Sequence, residues 1–186
     1  MKKLAVLAVC VLMLCGCSHQ DRALETGMAL RTRLLRAEKV CFDAQITADY
    51  GDRLYDFSMA CQADAAGSLS FTVTAPETLA GITGAAGAQG GSLTFDGTAL
   101  QFDLLAEGQI SPVSSPWVLL KTLRSGCLTA ASTEDGLIRL SMDDSYRDDA
   151  LHLDIWLDCQ DLPARADILY GQKRIVSLVI KNVVIT

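Results

Sequence analysis

Cysteine and histidine are the residue types best suited to covalent, metal or acid–base chemistry. This chain of 186 residues has seven cysteines and two histidines. Cys10, Cys15 and Cys17 crowd the end of an apolar run from Leu4 to Leu14. Cys41, Cys61, Cys127 and Cys159 are scattered through the rest. They form no CxxC pair and only His152 lies near any of them, so a metal site is not expected. An even number of scattered cysteines in an exported chain points to disulfides instead. His19 stands near the start, which leaves His152 as the one candidate base. It shares strand parity with Asp154, Trp156 and Asp158. A neighbouring carboxylate could orient the ring, but no nucleophile is identifiable beside it. The row reads more simply as a solvent-facing strand face.

Two further stretches invite a chemical reading and do not sustain it. The acidic run from Asp143 to Asp149 lacks the glycine and the distal glutamate of a calcium loop, and reads as a solvated turn. The segment "AGITGAAGAQGG", residues 80–91, ends without the Gly-Lys-Ser/Thr of a phosphate loop. It reads as a mobile loop at the mouth of a sheet. The net charge is −6, and no basic patch with interleaved aromatics is present, so nucleic acid is not an expected partner. No catalytic residue and no cofactor are assigned.

The leading segment has a different kind of chemistry. Met1-Lys2-Lys3 is basic, and the apolar run that follows is too short to span a bilayer. A basic start, a short apolar core and small residues at a cut site describe an export signal. The stretch "LCGC", residues 14–17, resembles the lipobox of bacterial lipoproteins. The resemblance implies a signal peptide over residues 1–16, a diacylglyceryl thioether on Cys17, and a short polar tether over residues 17–20. Cys10 and Cys15 fit the motif poorly, because Val9 and Leu14 stand where small residues belong. A diacylated cysteine passes the threshold for stable anchoring, which one chain does not.

The elements that follow are read from periodicity. Residues 21–39 predict a helix, with Leu24, Met28 and Leu35 on one face and Leu34 beside it. Arg31, Arg33, Arg36 and Lys39 form a basic side, suited to anionic headgroups or simply to water. The period then changes to two. Phe42 to Tyr50 and Tyr55 to Cys61 alternate about Gly51-Asp52, a hairpin with glycine at the first central position. Leu69, Phe71 and Val73 give a third strand, ended by Pro76. Leu93 and Phe95 lead through Asp96-Gly97 to Leu100, Phe102 and Leu104. Residues 115–126 break the pattern as an amphipathic helix, with Ser115 as cap and Trp117, Leu120 and Leu123 on one face. Strands resume with a turn at Asp135-Gly136, then Leu151 to Leu157, Ala164 to Ile168, and a final strand after Gly171-Gln172.

This pattern predicts one domain over residues 21–186, mainly β with two or three helices. Nine to eleven strands in meander order, each with one apolar face, must curl around or stack on something. The expected architecture is an incomplete, strongly curved antiparallel β-barrel with a helical plug or lid. The hairpin register puts Cys61 opposite Phe42 and Cys41 on the other face. A bulge near the start of the first strand would bring Cys41 to Cys61. Cys127–Cys159 then follows by elimination.

The order of elements, with "FDAQITADYGDRLYDFSM", "FTVTAPETLAGITG", "LTFDGTALQF" and "LPARADILYGQKRIVSLVIKNVVI", resembles the LolA/LolB/LppX lipoprotein-carrier superfamily. It is similar also to GerS-like germination lipoproteins. The resemblance implies a curved sheet with helices over an apolar cavity that takes acyl chains or other hydrophobic ligands. Candidate lining residues are Phe57, Phe71, Phe95, Phe102, Trp117, Leu120, Leu153 and Ile155. The same residues would also serve as plain core. The alternative is an anchored scaffold that holds an envelope protein such as a cell-wall hydrolase. Either protein would sit on the outer side of a bacterial cell membrane. Ser18 after the anchor would permit the outer membrane in a two-membrane host.

Overall fold

The computed structural model describes residues 17–103, 105–106 and 109–186. The expected signal peptide and Leu104 lie outside the described residues. The chain forms helix α1 (Cys17–Arg36), then strands β1 (Lys39–Asp49), β2 (Leu54–Asp64), β3 (Leu69–Ala75), β4 (Thr83–Gly87), β5 (Gly90–Phe95) and β6 (Thr98–Phe102). A two-stranded hairpin, β7 (Leu105–Ala106) and β8 (Gln109–Ile110), leads to helix α2 (Ser115–Ser125). Strands β9 (Cys127–Glu134), β10 (Leu137–Asp143), β11 (Leu151–Leu157), β12 (Pro163–Tyr170) and β13 (Lys173–Ile185) complete the domain.

Eleven strands form one antiparallel sheet in the order β6-β5-β4-β3-β2-β1-β13-β12-β11-β10-β9. It is two meanders joined where the first strand pairs with the last. Alternation decides which side each residue faces. One inner row runs in register through Phe57, Ile46, Leu178, Ala166, Ile155, Leu140 and Ala131, all buried. The neighbouring outer row reads Ser177, Asp167, Asp154, Ser141. Burying each large aliphatic side chain of the inner row contributes about 1.5–3 kcal/mol.

The sheet is neither closed nor strongly curled. This corrects the expected half-barrel. Strands β6 and β9 remain as edges. The apolar face is covered by helices laid on it, so the sheet does not need to close on itself to bury that face. Helix α1 packs on β9 and β10, and α2 packs beside α1, against β10 and β13.

The hairpin at Gly51-Asp52 forms as expected, with Gly51 at φ 93°. Two other expectations change. The first concerns the face that helix α1 (Cys17–Arg36) buries. Its buried line is Ala23, Gly27, Leu30 and Leu34, while Leu24, Met28 and Leu35 are exposed. Small residues win because the helix lies close to the sheet: a Cβ on Gly27 would come within 2.8 Å of Leu140 Cδ2. The glycine-rich segment is largely strand, forming β4 and the start of β5.

The disulfides are also corrected. Cys41, Cys61, Cys127 and Cys159 are all free thiols. Strands β1 and β2 pair without a bulge, with Cys41 opposite Gln62 and Cys61 opposite Phe42. The two cysteines therefore face opposite sides of the sheet. The bulge lies instead on the β1–β13 side, between Cys41 and Asp43. Cys127 pairs with Asp143 at one end of β10, and Cys159 follows β11 at the other end. Those ends are separated by roughly 17 Å of strand, far beyond disulfide reach.

Candidate functional site: the apolar face of the sheet

Two inner rows carry the apolar face from the core to the β6 edge. The first runs Phe42, Cys61, Phe71, Gly84, Leu93, Leu100 across β1 to β6. Its first three members are 4, 4 and 3 % exposed, and Leu100 is 61 % exposed. The second runs Val40, Ala63, Leu69, Ala86, Gly91, Phe102. The helices cover the near part of each row. The far part, on β5 and β6, is open, and Phe95 stands beside it at 59 % exposure.

The glycines of the earlier motif shape this open part. Gly84 faces Phe71 and Gly91 faces Phe102 across the ladder. A Cβ at either position would collide with the ring opposite. Both rings therefore lie folded over a glycine backbone: Phe71 inside the core, and Phe102 as a low apolar floor of the open part.

Over the near part, α2 acts as the cover. It presents Trp117, Leu119, Leu120 and Leu123 to the sheet. Its rim is pinned by polar ties. The Trp117 indole donates to the Gly67 carbonyl at 2.8 Å, and Arg124 donates to the Asp64 carbonyl at 3.1 Å, both at the β2–β3 turn. Lys121 reaches the Asp144 carbonyl at 3.1 Å and its carboxylate at 3.0 Å. From α1, Arg31 donates to the carbonyls of Leu123 and Gly126. The Tyr50 hydroxyl donates to the Ile110 carbonyl just before α2, and burial pushes its pKa up to about 12, with Tyr55 adding to the shift. Beneath this cover a cavity of only about 10 Å³ lies between Leu34, Val40, Phe42, Leu119, Leu120 and their neighbours. That is room for about one water molecule.

The eight sequence-derived lining candidates thus divide. Phe57, Phe71, Trp117, Leu120, Leu153 and Ile155 belong to the closed core. Phe95 and Phe102 lie on the same face beyond the helices. Leu100 joins them there, while Leu93 is partly buried against the edge of the core. The alternation of β5 and β6 carried that signal, but it does not tell which end of a sheet a helix will leave bare.

The opposite face holds a polar network. Asp154 and Asp167 sit directly opposite one another on β11 and β12, both buried. Each has its own cation and hydroxyl. Arg139 donates twice to Asp154, at 3.1 and 2.7 Å, and Ser141 donates at 2.6 Å. Arg165 donates to Asp167 at 2.6 Å and Ser177 at 2.8 Å. Burial pulls the Asp154 pKa upward, but the bonds and charge of Arg139 and Ser141 outweigh it and leave the group below its ordinary value. Arg139 and Arg165, on the strands either side, both stack on Trp156, 5.4 and 4.5 Å from the ring centroid. His152 lies on this outer face as expected, but its closest carboxylate is Asp143, at 2.7 Å, with Asp154 at 3.5 Å. The Ser141 hydroxyl is committed to Asp154, so the row is a charge-balancing lattice. Among the described residues, no group of three or more acidic, histidine or cysteine side chains is placed to hold a metal.

The fold is an open antiparallel sheet with two helices on a single apolar face, which they leave bare toward the β6 edge. Solved structures share this architecture. The chain resembles an outer membrane lipoprotein-sorting protein domain from Vibrio parahaemolyticus, at 8% identity and TM-score 0.50, over 90% of this chain and 93% of that one. A LolA superfamily protein from Nitrosomonas europaea matches at 8% identity and TM-score 0.48, over 89% and 92%. The lipoprotein LppX of Mycobacterium tuberculosis matches at 13% identity and TM-score 0.42, over 87% and 93%. No family model and no curated protein sequence matches. The likeness to the lipoprotein-sorting protein domain is one of fold.

Proposed function

We propose that this is a lipid-anchored extracytoplasmic protein that binds a lipid or acyl chain on the inner face of its sheet. The anchor is the diacylglyceryl group on Cys17, and the site of action is the outer side of the cell membrane, or the outer membrane in a host that has one. The observation that carries the reading is the pair of apolar rows that leave the core and continue, uncovered, onto β5 and β6. An acyl chain laid along Leu93, Phe95, Leu100 and Phe102 would be stabilised by about 25 cal/mol per Å² of apolar area removed from water. It could extend under α2 only by lifting that helix. The cover is suited to movement: the Ser114 and Thr122 hydroxyls are buried without a partner among the described residues, a cost that lifting relieves. The protein acts by binding and release, with no bond made or broken.

The small cavity favours a second reading. A sheet already filled by its own helices has little room for lipid, and an anchored scaffold would use the bare edge hairpin to hold an envelope protein. Native mass spectrometry separates the two. Residues 17–186 with Cys17→Ser, exported behind a cleavable signal and purified without detergent, contain every described element. An added mass of lipid size that organic solvent removes supports the carrier. A bare mass that persists when phospholipid and fatty acid are offered rejects it and leaves the scaffold.

A further inference from the structure

Helix α1 has an apolar line that nothing among the described residues covers. Leu24, Met28 and Leu35 are 46, 46 and 62 % exposed, although their spacing of four and seven puts them on one stripe. Position 17 falls on the same line, seven residues before Leu24. The helix cannot roll to bury this stripe. Arg31, on the flank between it and the buried line, is held by the Leu123 carbonyl at 2.9 Å and the Gly126 carbonyl at 2.6 Å. The charge of the helix also differs from that of the domain. It carries Arg22, Arg31, Arg33 and Arg36 against Asp21 and Glu25, in a chain of net charge −6. An anionic surface attracts this element and repels the rest.

We propose that α1 lies along the bilayer that holds the acyl chains of Cys17, with Leu24, Met28 and Leu35 at the headgroup–acyl boundary and the net positive charge of the helix favouring an anionic surface. This rests on the reading of Cys17 as the anchor. The occupant follows from where the chain is tethered: Leu24 is seven residues from Cys17, about 10 Å along a helix, so the anchor keeps this line within reach of the membrane. An amphipathic helix in this position adds to the hold of the lipid chains. It also orients the domain. Because α1 packs on β9 and β10, the β9 edge faces the anchoring membrane, and the bare hairpin β5–β6, at the opposite end of the strand order, points away from it.

The test uses the mature lipidated protein in vesicles of phosphatidylcholine with one quarter phosphatidylglycerol. Met28→Trp adds a fluorophore to the stripe, and the emission of the parent protein, from Trp117 and Trp156, is subtracted. The added emission should be blue-shifted and quenched about two-fold or more by brominated acyl chains, and Leu35→Trp should repeat the result. Protein that floats with the vesicles while its added emission stays water-like and unquenched would overturn the proposal and leave the anchor standing. Added emission that is blue-shifted but unquenched would also overturn it, and would point to a second copy of the chain on the stripe. Protein that carries no acyl mass and does not float would remove the anchor, and the proposal with it.

Discussion

The indole nitrogen of Trp117 donates to the carbonyl of Gly67 at 2.8 Å, which ties the covering helix α2 to the turn between β2 and β3. The contact joins residues fifty positions apart and closes one rim of the apolar face. Trp117→Phe keeps the apolar body and removes the donor. The loss should lower stability by about 0.5–1.5 kcal/mol and speed hydrogen exchange across residues 115–125. Urea unfolding and exchange mass spectrometry check both. Unchanged protection of α2 would show that the helix is held by its apolar contacts alone.

Burial sets the order in which the thiols react. Cys159 is exposed and should be alkylated first, Cys41 and Cys127 are half-buried, and Cys61 is buried. Burial, and to a lesser degree the charge of Asp43, push the Cys61 thiol up to about 12, so little thiolate exists at neutral pH. Maleimide labelling followed by peptide mapping should find Cys61 modified only on unfolding. Reductant should not shift the melting temperature. A drop of several degrees on reduction would reinstate a disulfide.

Asp154 makes stability depend on acid. Its folded-state pKa is depressed, so its contribution is present above the ordinary carboxylate value and is lost as pH falls through the lower folded value. Asp154→Asn should cost about 1–3 kcal/mol at pH 7, the scale of hydrogen bonds to a charged group. The difference from the parent should shrink as pH falls below about 4. Urea midpoints measured from pH 3 to pH 7 test this, and parallel curves would contradict it.

The two readings of α1 also differ in a simple mutant pair. Gly27→Val pushes a branched side chain into Leu140 and should cost about 1–3 kcal/mol by overpacking. Met28→Ala, on the exposed line, should stay within about 0.5 kcal/mol. If the costs were reversed, the buried face would be the one that apolar periodicity predicts.

That pair also marks where the sequence was legible and where it was not. Alternation along β1, β2, β11 and β13 gave strands, faces and the Phe42–Cys61 register, because one side of each strand must be apolar. The same logic applied to α1 chose the large residues Leu24, Met28 and Leu35. The helix instead buries Ala23 and Gly27, because close approach to Leu140 requires small side chains. Glycines read as loop flexibility at Gly84 and Gly91 are strand positions under aromatic rings. Lining and core could not be separated for Leu153 or Phe102, since both are inner-face residues and only the extent of helix cover divides them. Arg139 and Arg165 gave no local signal; they meet at Trp156 only through pairing across three strands.

The central claim is that the bare continuation of the apolar face on β5 and β6 holds a lipid chain. The most direct measurement is native mass spectrometry of the Cys17→Ser chain beside the same chain with Phe95→Asp and Leu100→Asp, each offered the same phospholipid. Both substitutions are at exposed positions, so matching melting curves confirm that the folds are comparable. The account predicts a solvent-extractable lipid mass on the parent and a loss of about ten-fold or more in the variant. A parent that stays bare, or a variant that keeps the lipid at the parent's level, would contradict it.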